Sequence, residues 1–348
     1  MDGAQDRVAA YGSARGWGPL QGNVTMWDFS FRRGIGLMLQ TLPFVLLRMA
    51  VYFGAALAYV LVTGTGAGIG WGIGALGDEG FRAAATMVGG VTGFAVVLLV
   101  MYWLREYILY MVKAGHIAVM VELIDNRPMP EGRSQIGHAQ AMVRDRFGEA
   151  SLLFALDQLI KGVLRAITGL IRSVITLLPL PGIPQLISML RAFLRVAVGF
   201  IDEVILAYGL RTRATDPWAS ARAALVLYAQ NYRPMLRNAL WITFFVYGLM
   251  ALLFILLLAP AAAVANLYPG GMSAMGVVIA LILAWSVKQA VLEPLAVACL
   301  LQAYFQTIEG QSPRPDWDAR LEEMSGQFRK IKDRVGAGAP GVPQQGAG

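Results

Sequence analysis

The apolar positions of this chain fall into four long runs, which are separated by polar, charged and glycine-rich sequence. The runs cover about 37–62, 83–104, 235–264 and 273–307. Each supplies the ~20 mostly apolar residues that a helix needs to cross a bilayer, and none alternates in the manner of a membrane barrel strand. The pattern therefore predicts an all-α, polytopic helical membrane protein with four spans.

A dense run of glycines follows the first span, with glycine at positions 64, 66, 68, 70, 72, 74 and 77. Glycine favours flexible turns and also lets two helix backbones approach closely. We expect either a flexible turn between the first two spans or close helix packing through Gly66, Gly70 and Gly74. The second span has a similar small-residue face at Gly89 and Gly93, and the same kind of contact between two chains would make a homo-oligomer.

Residues 148–213 place two apolar segments around a proline-rich breaker at 179–184. Prolines and a glycine so close together end one helix and reverse the chain, which predicts a helical hairpin. Its arms carry charges at helical spacing, and four or five charges in one arm are too costly for a simple lipid-facing span. If the chain folds back at the breaker, Asp202 comes to lie beside Lys161, so we expect an ion pair between these two residues. The hairpin is either a long amphipathic element beside the four spans or two further helices of the bundle, which would then contain six.

The chain divides into five parts on this pattern. We expect a cytoplasmic N-terminal arm at 1–33, a first membrane helix pair at 34–125, an amphipathic cytoplasmic and hairpin region at 126–234, a second membrane helix pair at 235–308, and a cytoplasmic tail at 309–348. The end of the tail is rich in Gly, Pro and Gln, so we expect it to be disordered.

Three shorter elements are also predicted. The helical pattern of the second span continues to Ile124, which at ~1.5 Å per residue gives a helix of roughly 60 Å that must protrude or bend. Asp216 and Pro217 supply an N-cap oxygen and a proline at the first helical position, and predict an amphipathic helix that runs to Pro234. The tail contains one predicted short basic helix at 316–334.

Composition and charge point to the same class of protein. The chain is 57% hydrophobic and 15% charged, whereas about a quarter of the residues in soluble domains are charged. Of its 29 Lys and Arg residues, 14 lie at 126–237 and six lie after residue 309. Basic residues beside membrane spans mark the cytoplasmic face and its anionic lipids. We therefore expect a multi-pass cell-membrane protein with both termini cytoplasmic, whose partners are the phospholipid bilayer and anionic lipids, and no nucleic acid.

Residues that carry catalysis or bind metals are scarce. Cys299 is the single cysteine, which excludes an internal disulfide and any multi-cysteine metal site. The two histidines are His116 and His138, and the position of His116 in the continued helix predicts a packed residue rather than a ligand or proton carrier. No nucleophile, zinc or phosphate-loop motif stands on a suitable element. We expect no enzymatic activity, catalytic residue, cofactor or metal.

The fourth apolar run contains the strongest candidate for a site. Lys288 and Glu293 lie about 22–30 Å into the membrane when counted from Ser273 at ~1.5 Å per residue. Ionisable groups at that depth face a protein interior or a cavity. Pro294 lacks an N–H, so the carbonyl of Ala290 loses its helical donor, and broken helices of this kind occur at transporter sites.

We expect Glu293 to be the anionic element of a site for an organic cation, which also needs aromatic faces within about 6 Å. Lys288 would suit the phosphate of a zwitterionic headgroup. The predicted substrate-binding residues are Glu293, Trp285, Lys288, Trp241 and Tyr247. In the alternative interpretation, Lys288 and Glu293 pair with charges of the hairpin and only hold the bundle together.

Three further segments each carry a distinct motif. The sequence RFGEAS at 146–151 opens a Leu- and Ile-rich helix that carries Asp157, Gln158 and Arg165, AYG at 207–209 is followed by WASA and by Asn231, and 299–309 forms a closing helix. Over roughly residues 100–310 these segments resemble the choline transporter-like family of membrane proteins, although the long external loop of its eukaryotic members is absent. The resemblance implies a common fold core and an amino-alcohol or quaternary amine as substrate.

Three functions fit these features. The first is a transporter of a small organic cation or lipid headgroup of the choline type, which the broken helix and the resemblance favour. The second is an oligomeric channel or pore, and the third is a non-transporting scaffold that binds anionic lipid or a protein through its basic layer.

Overall fold

The computed structural model describes residues 27–104, 110–127, 132, 134–147, 158–160, 162–163, 201–265 and 273–335. This part of the chain is helical and contains no strand, which confirms the predicted all-α class. Its helices, in chain order, are α1 (Phe31–Gln40), α2 (Leu42–Gly74), α3 (Glu79–Leu104), α4 (Tyr110–Ile124), α5 (Gln135–Phe147), α6 (Ile201–Thr212), α7 (Pro217–Gln230), α8 (Tyr232–Ala265), α9 (Ser273–Val287), α10 (Glu293–Thr307), α11 (Pro315–Met324) and α12 (Gly326–Asp333). A π-helical turn, Lys288–Leu292, joins α9 to α10.

Four stretches of the described chain are long and apolar enough to cross a membrane, as predicted. They are Leu42–Gly74, Glu79–Tyr102, Tyr232–Ala263 and Gly276–Thr307. Large apolar side chains such as Leu57, Leu61 and Ile255 are exposed on these helices. Such a surface suits lipid, because lipid tails are as apolar as the side chains themselves. The protein is therefore membrane-embedded and multi-pass.

The first membrane hairpin, α2 and α3, packs backbone against backbone along a line of glycines. A Cβ atom built on Gly66 would lie 2.2 Å from the carbonyl oxygen of Gly89, and one built on Gly70 would lie 2.0 Å from that of Ala85. Real Cβ atoms essentially never come closer than 3.0 Å to such a neighbour, so this contact requires glycine. Of the two sequence alternatives, helix packing is confirmed, and the flexible turn does not form there because α2 continues as a helix to Gly74.

The second membrane hairpin consists of α8 and α9, and α9 also packs against α2. Ala261, Ile279 and Ala280 are buried in a small cluster where these helices meet, with Val60 of α2 packed against it. The two hairpins therefore adjoin along α9, the helix that leads directly into the π-helical turn.

The main buried core is centred on α4, α6, α7 and α10, and the first half of α8 also contributes buried residues to it. Ala118, Val204, Leu225 and Cys299, one each from α4, α6, α7 and α10, have no exposed surface. The hairpins thus expose many large apolar side chains, whereas the core helices bury most of theirs. Because α10 is both the end of the fourth span and part of the core, the two regions join at the π-helical turn.

Helix α7 begins as predicted but ends earlier. The Asp216 carboxylate accepts hydrogen bonds from the backbone N–H groups of Trp218 (2.8 Å) and Ala219 (3.2 Å), so it is the N-cap. The helix ends at Gln230 instead of Pro234, because α8 starts at Tyr232 and holds that proline in its first turn, where no intrahelical donor is needed. α7 is also buried on most of its surface rather than amphipathic.

The basic tail contains two helices where one was predicted. Ser325 adopts an extended conformation after α11 and caps α12 by accepting a hydrogen bond from the N–H of Phe328 (3.2 Å). Arg222 of α7 holds α11 through two hydrogen bonds to the Asp318 carboxylate, at 2.7 and 2.6 Å. The tail is thereby attached to the buried core. Residues 336–348, predicted to be disordered, lie outside the described residues.

Candidate functional site

The break predicted in the fourth span takes the form of a π-helical turn. The N–H of Glu293 bonds to the carbonyl oxygen of Lys288, five residues earlier, instead of four as in an α-helix. Pro294 follows at the start of α10 and has no N–H to offer. π-Helical turns occur frequently at functional sites, since they change the direction of side chains within a helix.

Two lysines and two glutamates meet beside this turn, and we call Lys113, Glu203, Lys288 and Glu293 the ion cluster. The Glu293 carboxylate lies 3.4 Å from the Lys288 ammonium and 3.5 Å from the Lys113 ammonium. Lys113 also forms an ion pair with Glu203. The Lys288 ammonium donates a hydrogen bond to the Gln289 side-chain oxygen at 2.8 Å. The ion cluster therefore connects α4, α6, the π-helical turn and α10.

The cluster is shielded from solvent. Glu203 is 3% exposed, Lys288 and Glu293 are each 13% exposed, and Lys113 is 23% exposed. Arg48 of α2 is 4% exposed and contributes a further positive charge to the field at Glu293. Buried charges of this kind cost energy unless each has a partner, so removal of one member should be far more harmful than replacement of a pair.

The two members of the cluster outside the spans respond differently to protons. Burial raises the pKa of Glu203, Asp202 and Glu293 act in the same direction, and Lys113 opposes them, with a resulting pKa of about 8. Burial acts to lower the pKa of Lys113, but the carboxylates of Glu203 and Glu293 outweigh it, and the pKa is raised. These shifts favour the charged form of Lys113 and the neutral, protonated form of Glu203.

The structure brings three of the five predicted substrate-binding residues together. Glu293 and Lys288 are adjacent, and the Lys288 ammonium lies over the Tyr247 ring, 5.8 Å from its centre. Trp285 packs edge-on against Tyr52 of α2, with ring centres 5.6 Å apart.

Trp241 lies elsewhere, in an aromatic group with Trp27, Phe244 and Phe245 near the start of α8. Within the described chain, no contact joins either tryptophan to Glu293. That Trp241 and Trp285 bind substrate therefore stays a prediction from sequence.

The expected pairing of Lys288 and Glu293 with the hairpin is found in part. The hairpin contributes Glu203 to the ion cluster, and Glu203 is linked to Glu293 through Lys113 rather than through Lys288. Asp202 lies in the first turn of α6, but Lys161 is outside the described residues, so the Lys161–Asp202 pair stays a prediction.

The sequence interpretation did not assign Lys113, Glu203 or Arg48 to the site. A signal for Arg48 and for Lys113 was nonetheless present. Arg48 interrupts an apolar run, and Lys113 lies on the helical continuation of the second span, so both needed acidic partners. Which acids would meet them depends on how distant helices pack, and that is set by the fold.

His116 is a packed residue, as expected. It has no exposed surface, its ring stacks on Phe44 with centres 5.2 Å apart, and its Nε2 lies 2.8 Å from the Thr41 hydroxyl. Burial, followed by the charge of Arg48, holds its pKa well below the usual value. In the described part of the chain, no group of three or more His, Cys, Asp or Glu residues is arranged to hold a metal ion.

Comparison with known proteins gives no relative. No protein-family model matches the chain, and no curated protein and no solved structure matches it at a significant level. The resemblance to the choline transporter-like family therefore rests on the sequence motifs alone.

Proposed function

We propose that this protein is a membrane transporter for a small organic cation or zwitterion of the choline type, with its binding site at the ion cluster. The observation that carries the proposal is the position of the Lys288 ammonium. It lies 3.4 Å from the Glu293 carboxylate and 5.8 Å from the centre of the Tyr247 ring. A carboxylate and an aromatic face are the two elements that recognise an organic cation.

In this proposal, Lys288 is a tethered occupant of the cation site. A substrate ammonium would displace the Lys288 side chain and take its place between Glu293 and Tyr247. The displaced Lys288 would then be free to meet the phosphate or carboxylate of a zwitterionic substrate. Because a side chain fills the site when no substrate is present, the charge on Glu293 is never buried alone, which would be costly.

The surrounding helices support movement at this site. The π-helical turn joins α9 of the second membrane hairpin to α10 of the buried core, and α2 of the first hairpin packs on both α9 and the turn. Discontinuous helices of this kind hold the sites of secondary transporters, where one bundle rocks against another. A shift of the hairpins relative to the core would therefore change the side from which the cluster is reached.

The test is ligand binding to the purified protein in lipid discs, with choline, ethanolamine and phosphocholine as probes. Glu293→Gln should abolish binding of each. Lys288→Gln should tighten choline binding, because it removes the competing cation. A cation–π contact contributes about 0.5–2 kcal/mol, which corresponds to about 2–30-fold in Kd.

The chain offers a matched control for each change. Glu323 and Lys330 are exposed residues of the tail helices, so Glu323→Gln and Lys330→Gln make the same charge changes away from the site and should leave binding unaltered. The proposal is wrong if no probe binds, if Glu293→Gln binds as well as the unmodified protein, or if Lys288→Gln weakens choline binding. Ohmic currents in planar bilayers would instead favour the channel, and an absence of both binding and current would favour the scaffold.

A further inference from the structure

We infer that Glu203 is a proton-binding site, and that its protonation moves the Lys113 ammonium onto Glu293, so that H⁺ and the organic cation compete for the ion cluster. The coupling to transport rests on the proposed function, whereas proton binding by Glu203 does not. The predicted exchange is antiport, in which a proton enters as the cation leaves.

The geometry carries this inference through one shared ammonium. Lys113 of α4 is paired with Glu203 of α6, and its Nζ lies only 3.5 Å from the Glu293 carboxylate of α10. Two acids on different helices thus compete for a single Lys113. The position of Lys113 selects which of the two carboxylates is neutralised.

Of these two acids, Glu203 has fewer positive groups nearby to stabilise its negative charge. It is 3% exposed, and apart from its ion pair with Lys113 neither of its carboxylate oxygens has a hydrogen-bond partner among the described residues. Glu293 has Lys113, Lys288 and the field of Arg48. A buried carboxylate with one shared cation gains from protonation, because desolvation disfavours its charge.

Among the residues that the structure describes, no other charged group in contact with Glu203 replaces this cation. Asp202 is its neighbour on α6 and adds negative charge, as does Glu293 across the cluster. Helices α5 and α7 also pack against α6, and no described contact joins their charged or titratable residues to Glu203. These residues are His138, Arg144, Asp145, Arg222 and Tyr228. Arg222 is held by Asp318.

The consequence for the cation site follows from charge balance. When Glu203 is ionised, it holds Lys113, and Glu293 keeps negative charge available for a substrate cation. When a proton binds a Glu203 oxygen, the acid becomes neutral and no longer attracts Lys113. Lys113 remains protonated and pairs with Glu293, so the substrate cation loses its counter-charge and leaves.

The first test measures the proton directly, by infrared difference spectroscopy of the protein in lipid discs between pH 5 and 9. The unmodified protein should show the carbonyl stretch of a protonated carboxyl group with a midpoint near pH 8, where the pKa of Glu203 lies. Glu203→Gln should remove the band, and it resembles the protonated acid closely enough to keep the fold. Glu293→Gln should retain the band, and Lys113→Gln should move its midpoint upward. Absence of the band, or its loss in Glu293→Gln but not in Glu203→Gln, would overturn the assignment.

The second test measures competition through the choline Kd at different pH values. In the unmodified protein the Kd should increase at least severalfold as the pH falls from 9 to 6. Glu203→Gln should bind choline weakly at every pH in this range, whereas the exposed control Glu323→Gln should follow the unmodified protein. A pH-independent Kd in the unmodified protein, with the carboxyl band present, would refute the competition alone. A failure of choline to bind at any pH would refute the proposed function, while the infrared result would still decide whether Glu203 binds a proton.

Discussion

The packing of α2 on α3 makes a sharp prediction, because glycines two positions apart have opposite surroundings. A Cβ at Gly66 would lie 2.2 Å from the carbonyl oxygen of Gly89, whereas a Cβ at Gly68 would meet nothing within 4 Å. Gly66→Ala and Gly68→Ala are thus the same chemical change on the same helix. The first should destabilise the protein, and the second should not.

The size of each effect follows from the distances. At Gly66 the contact is 0.8 Å short of the 3.0 Å that real Cβ atoms keep, and the neighbour is backbone, which cannot rotate away. Overpacking of this kind costs about 1–3 kcal/mol. At Gly68 the methyl group is free of contacts, and alanine favours the helix by up to ~1 kcal/mol relative to glycine. The two variants should therefore differ by about 1–4 kcal/mol in the free energy of unfolding.

The measurement is thermal stability of the detergent-purified protein, followed by fluorescence-detected size-exclusion chromatography after heating. Gly89→Ala should lose as much stability as Gly66→Ala, because its Cβ would lie 2.1 Å from the carbonyl oxygen of Gly66. If Gly66→Ala and Gly68→Ala have the same melting temperature, α2 and α3 are not packed in this register.

Three further predictions concern pH and topology. Between about pH 5 and 8, Glu203 should make the melting temperature fall as the pH rises, and Glu203→Gln should remove this contribution. The folded-state pKa of Glu203 is raised to about 8, so its contribution to stability is present at low pH and is lost through that value. Between pH 7 and 5, His116 should act in the opposite direction, because its folded-state pKa is lowered and the unfolded chain takes up the proton. His116→Phe should reduce the fall in melting temperature that His116 causes as the pH decreases from 7 to 5. Single cysteines at Ser134 and Ser312 should react with an impermeant maleimide only after the cells are permeabilised, since the Lys and Arg distribution predicts that both sites are cytoplasmic.

The spans and the location of the charged break were predictable because they depend on local sequence. A long apolar run has few alternatives to a membrane helix, and a lysine, a glutamate and a proline within seven positions must disturb such a helix. The glycine run after Val62 was ambiguous, because glycine permits both a turn and a tight helix contact. The helix contact forms because the small residues of α3 lie opposite the glycines of α2. That match depends on both helices and cannot be read from the glycine run alone.

The partners in the ion cluster were harder to predict. Asp202 and Glu203 are neighbours that point about 100° apart on a helix, so a small change in the rotation of α6 decides which one faces Lys113. Lys113 in turn reaches Glu293 across 180 positions of the chain. Propensity and spacing describe a helix by itself, and a contact between residues so far apart depends on how several helices pack together.

The position of Arg48 in its helix also predicts where the ion cluster lies relative to the lipid headgroups. Arg48 is the seventh residue of α2, and Arg237 is the sixth of α8, so the uncharged lengths that follow them are each about 40 Å at ~1.5 Å per residue. That length matches a whole bilayer of ~40–45 Å with its headgroups. The match of lengths therefore predicts that Arg48 and the ion cluster lie level with one headgroup layer. A leaflet with a surface potential of about −30 mV concentrates protons there roughly threefold. The lipid composition of that leaflet should thus shift the bulk pH at which Glu203 titrates.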